Sequence, residues 1–113
     1  MNPLLATLPK NQIEQFCRRW QITELALFGS ILRDDFRPDS DVDMLVTFAE
    51  DAHWGLFDHV QMEEELAEIV GRSVDLVTKR SVEQSENWRR KARILNSAQP
   101  FISVSDRLAI HVA

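Results

Sequence analysis

The sequence predicts an α/β (α+β) domain in which a small mixed β-sheet of about three strands is flanked by helices. Short apolar runs bounded by turn residues alternate along the chain with longer segments in which apolar residues recur at helical spacing. The composition, with 44% hydrophobic and 27% charged residues, is that of a globular protein rather than a disordered, collagenous or coiled-coil one. We expect one domain over residues 1–113, because a chain of this length forms a single core.

The first half of the chain predicts a helix, a strand, a turn and a second strand. Asn11 is suited to cap a helix. The apolar residues of this helix have the i, i+3, i+4, i+7 spacing of a buried stripe: Ile13, Phe16, Cys17 and Trp20. Residues 24–28 and 42–48 are apolar runs typical of buried strands. Gly29 and Ser30 end the first strand, and the residues that follow have room for a helical turn before a loop.

The second half predicts a helix over residues 55–70, which ends at Gly71, and a third strand over residues 74–78. Ser81 and Gln84 have the spacing of a capping box for a last helix. The apolar face of that helix would consist of Trp88, Ala92 and Leu95.

Pro100 is expected to end the last helical region, and the tail over residues 101–113 has no clear period and receives no role. Strand directions follow if the end of the first strand and the start of the second meet at one site. Those two strands then run antiparallel, whereas the long helical crossover lets the third run parallel to the second.

Charge and cysteine content restrict the class of protein. The net charge of −5 argues against a general nucleic-acid-binding surface, because such surfaces neutralise phosphates with Lys and Arg. No apolar run is long enough to span a bilayer, and the N-terminus lacks the pattern of a secretory signal. The single cysteine, Cys17, lies in an apolar stripe and is interpreted as a core residue. We therefore expect a cytoplasmic protein with no membrane or direct nucleic-acid partner.

Two carboxylates carry the chemical signal. Residues two apart on a strand point to the same face, so Asp41 and Asp43 would bring two negative charges into one small volume. Mg²⁺ is the natural counter-ion, since it takes oxygen ligands from carboxylates and substrate phosphates. A pair of such ions clamps the attacking and leaving oxygens of a displacement at phosphorus. Asp75, near the start of the third strand, is the best candidate for a third ligand.

Gly29 and Ser30 suit the other side of such a site. Glycine lets the backbone approach a phosphate closely, and Ser30 offers a hydroxyl and an N–H at a turn where donors favour anions. The two residues would therefore bind the phosphates of a nucleotide beside Asp41 and Asp43.

The spaced pattern Gly29-Ser30-x10-Asp41-x-Asp43, with Asp75 in a later strand, resembles the signature of the polymerase β-type nucleotidyltransferase superfamily. In size and layout the chain is most similar to its minimal members, the MNT antitoxins of HEPN-MNT toxin-antitoxin systems. The resemblance covers residues 8–97, which would form the core of the domain.

This resemblance implies a polymerase β-like nucleotidyltransferase fold with two Mg²⁺ ions held by Asp41, Asp43 and Asp75. It also implies that Gly29 and Ser30 contact the phosphates of ATP. The expected activity is that of a protein adenylyltransferase, which transfers AMP to a tyrosine of a HEPN ribonuclease toxin and so silences it. Asp75 would ligate the metal that activates the tyrosine hydroxyl and receive its proton.

The sequence is also compatible with other functions and with another kind of metal site. The chain could instead be a non-catalytic antitoxin that occludes its toxin. A small-molecule nucleotidyltransferase fits less well, because such relatives usually carry a further helical domain. The spacing of four acidic residues also matches positions 1, 3, 5 and 12 of a calcium-binding loop: Asp39, Asp41, Asp43 and Glu50. Position 6 of such a loop requires glycine, and here it is Met44.

Several residues have interpretations less tied to the site. Many relatives carry Gly after the arginine that matches Arg33, where this chain has Asp34. The basic cluster Arg89, Arg90, Lys91 and Arg93 predicts a solvated helix face, with an acidic partner or phosphate as the alternative. His53, His59 and His111 show no metal-binding spacing. The three tryptophans are interpreted as core residues: Trp20, Trp54 and Trp88. Trp54 could instead border the site.

Overall fold

A computed structural model of the chain describes residues 4–33, 37 and 39–104. The predictions for Asp34, for His111 and for the tail beyond residue 104 lie outside this range. The elements in chain order are α1 (Leu4–Thr7), α2 (Lys10–Arg19), β1 (Ile22–Phe28), a 3-10 turn (Gly29–Leu32), β2 (Val42–Phe48), α3 (Leu56–Val70), β3 (Val74–Thr78), α4 (Lys79–Glu83), α5 (Trp88–Ser97) and β4 (Gln99–Ser103).

The sheet is mixed, with the strand order β3-β2-β1-β4. Strand β1 is antiparallel to β2 and to β4, whereas β2 and β3 are parallel. The predicted directions of the first three strands are confirmed. The fold is therefore the expected α/β sheet flanked by helices.

The expected strand count was too low by one, because β4 pairs with β1 at the edge of the sheet. Pro100 lies within this strand rather than ending the preceding region. A proline is tolerated there because an edge strand leaves one row of N–H positions unpaired. The strand has five residues, of which Ile102 alone is buried, so it carries no clear apolar period.

Alternate residues of the strands face two cores. The larger core lies between the sheet and helices α2 and α3, and it contains Cys17, fully buried as predicted. The smaller core packs α4 and α5 on the other face, and its buried residues are Ala26, Phe28, Leu45, Val82 and Ile94. Because Val42 and Met44 belong to the larger core, Asp43 between them points to the face that carries α5.

The helix ends differ from the predicted caps in two places. Asn11 lies inside α2, which follows Pro9. Ser81 lies inside the short helix α4, where its N–H donates to Oγ1 of Thr78 at 3.1 Å. The last helix, α5, is capped instead by Asn87, whose Oδ1 accepts from the N–H of Arg90 at 3.1 Å. Gly71 ends α3 in the left-handed conformation, with φ of 78°, as expected.

The tryptophans are less buried than expected. Trp20 packs against the larger core while remaining partly accessible, and Trp54 is 37% exposed. Trp88 is 68% exposed, so its assignment to the core was wrong. It lies in the first turn of α5, where the residue that reaches the smaller core is Ile94. Among the described helices, none combines the length and apolar character of a membrane span.

Candidate active site

Asp43 and Asp75 occupy paired positions in the parallel strands β2 and β3. Paired positions of neighbouring strands point to the same face, so both carboxylates lie on the α5 side of the sheet. Asp41 precedes Asp43 by two residues and is exposed, as is Asp75. The three acidic residues singled out in the sequence are thus brought to one end of two neighbouring strands.

The electrostatics of Asp43 reflect this arrangement. Burial, followed by the negative charges of Asp75 and Asp41, raises the pKa of Asp43 above its ordinary value. The positive charge of Arg90 acts in the opposite direction. A cation bound next to Asp43 would offset both desolvation and like-charge repulsion.

Gly29 lies at the point where β1 ends, next to the residue pair Phe28 and Asp43. Its φ is 77°, a conformation that residues with a side chain rarely adopt. A Cβ built on Gly29 would overlap Oδ2 of Asp43 and lie 3.2 Å from its Cγ. Glycine is therefore required here both by the backbone turn and by the carboxylate that packs against it.

A cleft of about 600 Å³ opens next to these residues. One wall is the end of β1 and the 3-10 turn, the floor includes Asp43, and the other wall is α5. Of the residues predicted to bind a nucleotide, Gly29, Ser30 and Asp43 line the cleft, while Asp41 is not among the lining residues. The cleft is large enough for a nucleotide-sized ligand.

Arg90 and Arg93 line the same cleft from α5. They are solvent-exposed, as the solvated-face interpretation predicted, but that interpretation missed their place opposite Asp43. A signal was present in the sequence, since four lining residues have the i, i+3, i+4, i+7 spacing of one helix face: Arg90, Arg93, Ile94 and Ser97. Arg33 adds a third cation from the 3-10 turn side.

The acidic cluster fits a hard divalent cation without forming a complete cage. Among the described residues, no three acidic, histidine or cysteine side chains stand close enough to enclose a metal ion by themselves. Mg²⁺ is commonly held by one or two carboxylates, with waters and substrate phosphates as the remaining ligands. A calcium-binding loop is excluded, because Asp43 and Met44 lie within the regular strand β2.

Side chains of α3 hold β3 beside this site. The ring Nε2 of His59 donates to the carbonyl of Leu76 at 2.8 Å, and Oε2 of Glu63 accepts from the Leu76 N–H at 2.8 Å. These bonds satisfy the outward-facing backbone groups of an edge strand. His59 therefore has a structural role, and the position of Asp75 depends on helix α3 as well as on β2.

The sheet, the acidic residues at the strand ends and the glycine turn have the arrangement that the sequence predicted for a nucleotidyltransferase. The nucleotidyltransferase domain family matches residues 9–100, and the chain belongs to this family.

Similar proteins agree with this assignment. The protein adenylyltransferase MntA of Thermococcus cleftensis is 41% identical over 64 residues, which are 57% of this chain and 63% of the relative. That span is just under two thirds of the relative's own length. A Methanocaldococcus jannaschii protein, provisionally named a protein adenylyltransferase, is 34% identical over 89 residues, covering 79% of this chain and 89% of the relative.

Solved structures show the same fold. A structure provisionally described as a minimal nucleotidyltransferase has a TM-score of 0.67 and 31% identity, with 88% of this chain and 96% of that chain covered. A complex of a tri-AMPylated Shewanella oneidensis HEPN toxin with its MNT antitoxin gives a TM-score of 0.60 at 18% identity, covering 92% and 77%. The family expected from the sequence is thereby confirmed.

Proposed function

We propose that this chain is a Mg²⁺-dependent protein adenylyltransferase that acts as an antitoxin by transferring AMP from ATP to a tyrosine of a HEPN-type toxin. The observation that carries the proposal is the paired position of Asp43 and Asp75, with Gly29 packed against the Asp43 carboxylate. The names of the Thermococcus relative and of the Shewanella complex support the choice of AMP and of a HEPN partner.

The nucleotide would lie in the cleft between the 3-10 turn and α5. Its triphosphate would accept hydrogen bonds from Ser30 and from the backbone at Gly29, where no side chain obstructs a close approach. Arg90 and Arg93 would approach the phosphates from α5, since guanidinium groups match phosphate oxygens in a bidentate geometry. These contacts explain how a chain with a net charge of −5 would bind a polyanion.

Two Mg²⁺ ions would be held by Asp41, Asp43 and Asp75, because carboxylate oxygens are ligands that Mg²⁺ prefers. Their positive charge would offset the burial and the like-charge repulsion that raise the pKa of Asp43. The ions would neutralise charge on the triphosphate and polarise the reacting oxygens. Asp43, which lines the cleft, would lie next to the phosphates, and Asp75 would lie on the side from which the acceptor approaches.

The reaction would be a displacement at the α-phosphorus of ATP. The tyrosine oxygen forms a bond to that phosphorus as the bond to the bridging oxygen of the β-phosphate breaks, and pyrophosphate leaves. The hydroxyl proton passes to the carboxylate of Asp75. The toxin then carries AMP on its tyrosine through a phosphodiester bond.

Residues 1–113 would form one domain, and the reaction would take place in the cytoplasm on a protein partner. The negative net charge supports a protein rather than a nucleic acid as acceptor.

The decisive experiment uses α-labelled ATP, Mg²⁺, this chain and the purified product of the neighbouring gene, which the proposal expects to be a HEPN-type toxin. We expect label on the toxin, a mass increase of whole AMP units and loss when Mg²⁺ is chelated. The Asp41→Asn, Asp43→Asn double variant keeps side-chain shape and should transfer nothing. If that variant still neutralises the toxin fully, occlusion without catalysis is the better account.

A further inference from the structure

We infer that the exposed apolar surface at the start of α3 is the docking surface for the acceptor protein. This surface, named here the α3 apolar surface, consists of Trp54, Leu56, Phe57 and Val60. The inference rests on the proposed function, because it locates the binding of the protein that supplies the hydroxyl.

The α3 apolar surface is concentrated rather than scattered. Phe57 is 90% exposed and Leu56 77% exposed. Of the five large apolar side chains exposed in the described part of the chain, four fall between Trp54 and Val60. Isolated exposed apolar residues are normal, but a contiguous group marks an interaction surface. The fifth, Trp88, belongs to a different helix, α5.

Hydrogen bonds fix the shape of this surface. The Trp54 Nε1–H donates to the carbonyl of Trp20 at 2.9 Å, and the two indole rings meet edge to face with centroids 5.0 Å apart. The N–H of Gly55 donates to Oδ2 of Asp58 at 2.9 Å, which fixes the first turn of α3. An apolar surface held in one shape loses little conformational entropy when a partner binds.

A groove connects the α3 apolar surface to the candidate active site. It has a volume of about 530 Å³ and runs from Trp54 and Leu56 past the end of β3 to Arg90. Arg90 also lines the nucleotide cleft. A polypeptide bound at the α3 apolar surface and along this groove would thus reach Arg90, at the border of the cleft.

The charge on the exposed face of α3 indicates which kind of partner would bind there. The exposed face of α3 continues from Phe57 and Val60 to Gln61, Glu64 and Glu68, so it is apolar at one end and acidic at the other. A second copy of this chain would bring another acidic helix and a further net charge of −5. The matching partner is a different protein whose apolar side chains are flanked by Lys or Arg.

The test measures equilibrium binding of the chain to the purified product of the neighbouring gene, the expected HEPN-type toxin, without ATP. Leu56→Asp and Phe57→Asp should each weaken the complex by about tenfold or more, as expected for central apolar contacts. The double variant Glu64→Lys, Glu68→Lys should weaken it less and reduce its dependence on salt. Trp88→Asp is the matched control, since it changes an exposed aromatic residue that belongs to α5 rather than to the α3 apolar surface, and it should leave binding unchanged.

ATP affinity and melting temperature, measured on every variant, should stay at the wild-type values. A photo-crosslinking residue at position 57 should label the partner, whereas one at position 88 should not. The inference is overturned if the wild-type chain does not bind this protein or if Phe57→Asp binds it normally. Loss of self-association in place of partner binding would overturn it in favour of a second copy. If the wild-type chain binds through this surface but transfers no AMP, the proposed function fails and the docking surface stands.

Discussion

The carboxylate of Asp43 occupies the space that a Cβ at Gly29 would need. The turn that ends β1 and the acidic residue on β2 are therefore fitted to each other. A side chain at position 29 would have to displace the carboxylate that faces the cleft. This relationship gives the glycine of the motif a structural role in addition to the phosphate contact expected from the sequence.

Gly29→Ala should abolish nucleotidyl transfer, and Gly71→Ala provides a matched control. Both glycines have a φ near 77°, so both variants incur backbone strain of about 1–2 kcal/mol. A Cβ on Gly71 meets nothing within 4 Å, whereas one on Gly29 meets Asp43. Thermal unfolding should show that both variants are destabilised. Measured transfer rates should show that only Gly71→Ala is active. Equal activity in both would contradict the fitted arrangement.

Asp43→Asn should stabilise the metal-free protein while weakening Mg²⁺-dependent ATP binding. The pKa of Asp43 is raised, so its ionised form disfavours the folded state, and this cost appears as pH rises above the ordinary value of 3.8 and is complete once pH exceeds the raised pKa. Calorimetry at pH 7 without metal should show a higher melting temperature than for the wild type. The exposed Asp51→Asn is the control and should change neither property.

Arg93→Ala should weaken ATP binding by about tenfold, the effect of losing one charge-assisted contact to phosphate. Arg90→Ala should do the same and, by removing the charge that lowers it, raise the pKa of Asp43 further. Arg89 lies 5.4 Å from the ring centre of Trp88 and does not line the cleft, so Arg89→Ala is the control. Titration calorimetry with a non-hydrolysable ATP analogue measures all three. Unchanged affinity in Arg93→Ala would remove α5 from the phosphate site.

Cys17 should resist alkylation until the protein unfolds. Burial, followed by the charge of Glu14, raises the pKa of this thiol from 9.0 to about 12. The folded state therefore favours the protonated thiol. This contribution to stability is complete below pH 9.0 and is lost as pH rises toward 12. Iodoacetamide labelling followed by mass spectrometry at pH 8, with and without denaturant, checks the first point. Rapid labelling of the folded protein would contradict the burial of Cys17.

Glu63→Ala should destabilise the fold by about 1–3 kcal/mol, because it leaves the N–H of Leu76 without its charged acceptor. Transfer should slow as well, since β3 also carries Asp75. The neighbouring Glu64 is exposed, so Glu64→Ala should change the free energy of unfolding by less than about 0.5 kcal/mol. Urea denaturation of both variants gives the comparison. Equal stability of the two would show that α3 does not support the edge strand.

The amino-acid sequence alone determined most of the sheet, and it predicted the acidic residues of the candidate site. The strands over residues 42–48 and 74–78 have the predicted bounds, because short apolar runs flanked by polar residues are a local signal. The direction of Asp43, away from the larger core that buries Val42 and Met44, follows from the two-residue period of a strand. Cys17 in the core follows from helical spacing in the same way.

Only the tertiary structure decided the features that depend on contacts between distant residues. Strand β4 exists because residues 99–103 pair with β1, about 75 positions away in the chain, and no periodicity within five residues indicates it. The place of Arg90 and Arg93 opposite Asp43 depends on how α5 packs on the sheet. The overlap between Gly29 and Asp43 depends on the register of β1 and β2. Local patterns fix which residues share a face, whereas packing fixes which faces meet.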